Sequence, residues 1–168
     1  MPYGTRGDHL PAFLARVVRS ARADRLLEWS GRPGVHLLDH TEHHHHERES
    51  LNRFPWTTEA AIDWSAVPDL VLGTTHRDSP AAIAMANQWF TPAPHVILIW
   101  QTPLVPTVRV DTGLFLSHLA HLLESTPEFW AYSPTTHTLL ESAFSGQVTL
   151  ARIPPEPQSD SRAAAARA

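Results

Sequence analysis

Five consecutive apolar residues, Val96-Ile97-Leu98-Ile99-Trp100, form the densest hydrophobic run in the chain. A strand-length run with no polar alternation reads as a β-strand covered on both faces. Gln101-Thr102-Pro103-Leu104 interrupts it, and Val105 to Val110 follows as a second β-branched run. Thr107 and Arg109 alternate with Val108 and Val110, so this second strand has one wetter face. The link is too long for a two-residue turn, and Pro103 and Pro106 keep it from continuing the ladder. Asp111-Thr112-Gly113 then opens an amphipathic helix to Ser125, with Asp111 as N-cap and Phe115, Leu116, Leu119, Ala120, Leu122 and Leu123 inward. Strand, loop, strand, helix is the frame to which the remaining segments must be added.

Those segments predict more strands than helices. Val35 to Leu38 and Pro68 to Gly73 read as short strands. Ser79 before Pro80 is a strong helix start, and the helix runs to Phe90. Phe129 to Tyr132 is a further strand. His137 to Phe144 and Gln147 to Ile153 form a hairpin about Ser145-Gly146. Leu51 to Ser65 reads as a loop and a short helix, anchored by Trp56 and Trp64. Near the start, Leu10, Phe13, Leu14, Val17, Val18, Ala21 and Leu26 recur at helical spacing and predict a helix from Asp8 to about Trp29. The fold class is α+β: a mainly antiparallel, twisted sheet of about five or six strands with helices packed on one side. Residues 1–153 are expected to be one globular domain, and the Pro-, Ser- and Ala-rich stretch 154–168 a disordered tail.

Composition excludes several chemistries. The 168 residues contain no Cys, and all thirteen basic side chains are Arg. Disulfides, thiolate zinc sites, Cys nucleophiles, Schiff bases and a P-loop lysine are therefore absent. There is no Gly-x-Ser-x-Gly elbow and no dinucleotide-binding glycine pattern. A net charge of −4 argues against nucleic acid as a partner. No apolar run is long enough to span a membrane, and Met1-Pro2-Tyr3-Gly4 does not read as a secretory signal. A cytoplasmic location is expected. The Arg-only, Ala- and Pro-rich usage suggests a GC-rich, bacterial coding genome.

Two features remain as candidate sites. Arg16, Arg19, Arg22 and Arg25 fan across the polar side of the expected first helix. They suit an acidic partner, or nucleic acid with salt-dependent affinity, though charge on a helix exterior is ordinary. The second feature is Asp39-His40-Thr41-Glu42-His43-His44-His45-His46-Glu47, which holds five of the chain's twelve histidines. If helical, His40, His43, His44 and Glu47 share a side that could hold Zn²⁺ or Ni²⁺. Consecutive histidines point all round a helix, however, so the expectation is a polar, flexible loop with incidental metal affinity. His118 and His121 face one way but lack further ligands, and His76-Arg77-Asp78 reads as a structural turn.

The function expected from sequence is a non-catalytic protein-binding module that neutralises or regulates a macromolecular partner and needs no cofactor. The alternative is a metal-binding protein or metal-dependent hydrolase built on residues 40–47, with His76 and Asp78 as further donors.

Overall fold

In a computed structural model, residues 3–15, 18–21, 27–29 and 33–156 are described. A helical turn at Ala12–Ala15 (α1) precedes strands Val18–Ala21 (β1) and Leu27–Trp29 (β2), which pair with each other. Then follow Val35–Leu37 (β3), His40–Glu49 (α2), Val71–His76 (β4), Pro80–Phe90 (α3), His95–Trp100 (β5), Val108–Asp111 (β6), Thr112–Ser125 (α4), Phe129–Ser133 (β7), Thr138–Ser142 (β8) and Gln147–Arg152 (β9).

The architecture is α+β. Seven strands form one fully antiparallel sheet in the order β3-β6-β5-β7-β8-β9-β4, against the five or six expected. The run at 96–100 is the middle of it. Val96, Leu98 and Trp100 face one layer and Ile97 and Ile99 the other, and all are buried. That accounts for the missing alternation, because every residue of the strand is enclosed.

On the first face, α3 and α4 lay Ala82, Ala86, Phe90, Phe115, Leu119, Leu122 and Leu123 against Val96, Leu98, Val108, Val110, Phe129, Leu140 and Val148. The caps are mixed. The Ser79 hydroxyl accepts from Ala81 N, as its position before Pro80 implies, whereas Asp111 occupies the N-cap of α4 without a side-chain cap bond. On the second face, Leu38, Leu51, Phe54 and Ile62 cover Ile97, Ile99, Trp130, Tyr132 and Leu139. This layer is α2 and the loop after it, so helical structure lies on both sides of the sheet. Each fully enclosed Leu, Ile or Phe contributes about 1.5–3 kcal/mol of transfer free energy.

Two local expectations change. The long N-terminal helix is replaced, among the described residues, by the turn α1 and the β1–β2 hairpin, in which Val18 is opposite Trp29 and Arg19 opposite Glu28. β-Branched Val18 favours a pleated strand over a helix that offers only a short apolar stripe. The helix expected near Thr57 is a bridge between Trp56 and Ile62, followed by a 3₁₀ turn at Trp64–Ala66 capped by Asp63. Of the expected tail, 154–156 carry no regular structure, and 157–168 lie outside the described residues.

A candidate metal centre on α2

The histidine tract is a helix, not a loop. Asp39 Oδ1 accepts from Glu42 N at 2.9 Å, and Glu42 Oε2 accepts from Asp39 N at 2.9 Å. This reciprocal capping box satisfies two backbone donors that the helix start would otherwise leave open. The Asp-x-x-Glu spacing was present in the sequence as a start signal.

Position follows from the sheet. β3 pairs with β6, and Leu38 N extends that pairing by donating to Thr107 O at 2.9 Å. The chain then turns at Asp39 and crosses the second face, which brings His43 down onto Thr107. The imidazole is only 3 % exposed, and its Nδ1 lies 2.7 Å from Thr107 Oγ1. Tyr3 holds the same corner. Its hydroxyl donates to Leu38 O and accepts from Thr107 N, both at 2.9 Å, and its ring packs 4.9 Å from that of His43.

Glu47 stands one turn on. At 100° per residue it lies about 40° round the helix from His43 and about 60° from His44, so it sits between them. Glu47 Oε2 is 3.3 Å from His43 Nε2 and 3.1 Å from His44 Nδ1. The three ligating atoms lie within 4.8 Å of one another. Two ligands bound about 2.0–2.2 Å from a tetrahedral ion stand about 3.3–3.5 Å apart, so the observed separations need to change by only a few tenths of an ångström. His43 forms the floor of the site, while His44 (59 % exposed) and Glu47 (28 %) open it to solvent. The hydrogen bond with His43 holds the Glu47 carboxyl below its usual range, with His44 assisting against partial burial. Glu47 is therefore ionised, as a metal ligand must be.

Of the four predicted donors, three converge. His40 stacks edge-on against His44 at 4.2 Å between ring centroids, outside the ligating group. His46 takes the other flank, beside Tyr132, where burial first and then the neighbouring His45 hold it near pKa 4, so it stays neutral. His76 and Asp78 are 3.2 Å apart on an exposed turn and do not join the triad. His118 is spent on packing, stacked on Phe13 with its Nδ1 3.0 Å from Leu114 O.

Arg16, Arg22 and Arg25 lie outside the described residues, and Arg19 belongs to a strand rather than to the expected helix face.

Two features escaped sequence reasoning. Glu141, on β8, is a buried carboxylate that accepts from Trp64 Nε1 at 2.5 Å and Trp130 Nε1 at 3.1 Å; burial pushes its pKa up. Both Trp residues were readable as anchors, but not the acid that ties them. A cleft of about 270 Å³ is lined by Glu49, Arg53, His137, Ile153, Pro154 and Pro155, and its Arg53 is engaged by Glu49 at 2.8 Å.

No known protein family matches this chain, and no curated protein resembles it. Among the described residues no helix is long and apolar enough to cross a membrane.

Proposed function

We infer that this protein binds a first-row divalent transition-metal ion through His43, His44 and Glu47. The convergence of two imidazole nitrogens on one ionised carboxylate oxygen carries the reading. Imidazole with a single carboxylate suits Zn²⁺, Ni²⁺ or Cu²⁺ and disfavours Ca²⁺ and Mg²⁺, which take mostly oxygen ligands. Three protein ligands leave a fourth position for water or an incoming group.

The test is metal titration of the untagged full chain. One equivalent of Zn²⁺ should bind, with uptake lost in His44→Ala and in Glu47→Gln and retained in His45→Ala. Both lost-function positions are on the open side of the site, so folding is spared. Uptake indifferent to His44 and Glu47, or spread over several equivalents, overturns the assignment.

A second reading, docking of a protein partner, is favoured by two large apolar side chains left to solvent, Trp56 at 40 % and Phe144 at 79 %. Aromatic anchors of this kind carry much of the energy of interfaces. A specific partner should be lost on Phe144→Ser at unchanged Tm; association indifferent to both side chains removes this reading.

A further inference from the structure

Thr107 offers no ligand, yet its hydroxyl decides which nitrogen of His43 is free to bind. A carboxylate only accepts hydrogen bonds. With Glu47 Oε2 3.3 Å from His43 Nε2 and 3.1 Å from His44 Nδ1, the metal-free contacts need the protons on those two nitrogens. In the neutral His43 ring, Nδ1 is then bare, and at 2.7 Å it accepts from the Thr107 hydroxyl.

A cation at the triad demands the reverse arrangement. Nε2 must present its lone pair, so the ring proton must sit on Nδ1. Nδ1 is buried against Thr107, where a proton without an acceptor costs about 1–3 kcal/mol. A hydroxyl can turn from donor to acceptor without moving its oxygen. The backbone of Thr107 cannot shift to compensate, since its N donates to Tyr3 Oη and its O accepts from Leu38 N, both at 2.9 Å.

We propose that Thr107 is a positioning residue that lets His43 exchange tautomer when a metal ion arrives. The proton on Nε2 leaves to water, Nδ1 takes one from water, and the ring stays neutral throughout. The hydroxyl then accepts from Nδ1–H and holds Nε2 toward the ion, as outer partners of metal-bound histidines do. His44 makes its own exchange in open solvent and needs no such partner. The proposal rests on the metal reading above and is separable from it.

The experiment pairs Zn²⁺ affinity with ring ¹⁵N NMR of the full chain. Thr107→Val, which keeps the shape and removes the hydroxyl, should weaken Zn²⁺ about 10- to 100-fold, and Thr107→Ser should restore it. In wild type, His43 should carry its proton on Nε2 without metal and on Nδ1 with Zn²⁺. If wild type takes up no stoichiometric Zn²⁺, the metal reading fails. If it does and Thr107→Val binds within twofold of it, the role of Thr107 fails while the metal reading stands. If Nδ1 is protonated in the metal-free protein, the exchange is refuted, a result that holds even if Thr107→Val does not fold.

Discussion

Arg77 closes the sheet at the end of β4, and its removal has a size that can be worked out. Its guanidinium donates to Ala143 O at 2.5 Å, Pro127 O at 2.8 Å and Leu123 O at 3.3 Å. Those carbonyls belong to the β8–β9 turn, the loop entering β7 and the last turn of α4. Its own backbone N also donates to Gly146 O at 2.8 Å. Hydrogen bonds from a charged donor contribute about 1.5–3 kcal/mol each. Counting only the two short ones, and taking the lower value because part of the head is in water, gives about 3 kcal/mol. Arg77→Met keeps the stem and removes all the donors, so it should lose that amount. Arg77→Lys carries its donors on a single nitrogen and should lose about half. Urea unfolding followed by Trp fluorescence measures both, at unchanged m-value. With neutral acceptors the loss should be the same in low and high salt, unlike that of a surface ion pair. A loss below about 0.5 kcal/mol in Arg77→Met, or a strong salt dependence, would show that the three contacts do not clamp these elements.

Other perturbations have definite expected results. Glu141 has a raised pKa in the fold, so it favours the folded state most in acid and progressively less as pH climbs from the ordinary Glu value through the folded one. Glu141→Gln should therefore gain stability relative to wild type between pH 4 and pH 7, and a pH-independent difference would contradict this. Asp39→Ala removes the capping box and should cost about 1 kcal/mol in thermal unfolding. Gly34→Ala places a Cβ on the Asp111 carboxylate at a left-handed backbone (φ +77°); a cost of at least about 1–2 kcal/mol is expected in chemical unfolding. Leu98→Ala, at a fully enclosed position, should cost about 2–5 kcal/mol by the same assay.

The centre of the fold was legible in sequence because its signals are local. Val96 to Trp100 could be read as a strand, Ser79-Pro80 as a helix start and Ser145-Gly146 as a turn without knowing what each touches. What was not legible depends on distant partners. Arg16 to Arg25 shows helical spacing, but the described part of that stretch is a hairpin, since nothing local says which apolar stripe will find a surface. The histidine tract carried an Asp39-x-x-Glu42 cap that outweighs the poor helix preference of His. That His43 alone of the tract is buried follows from Thr107, sixty-four positions away, and no periodicity encodes it.

The two margins of the sheet have a consequence for the order in which the molecule can assemble. β7, β8 and β9 join neighbours by tight turns, and β5 and β6 lie close by in the chain, so this block can form from nearby contacts. β3 and β4 come from the first half and attach at opposite rims, β4 to a strand more than seventy positions later. A ribosome releasing this chain would present both rim strands and α2 long before either docking partner exists. The early half must wait exposed, and the last strand to emerge completes the sheet.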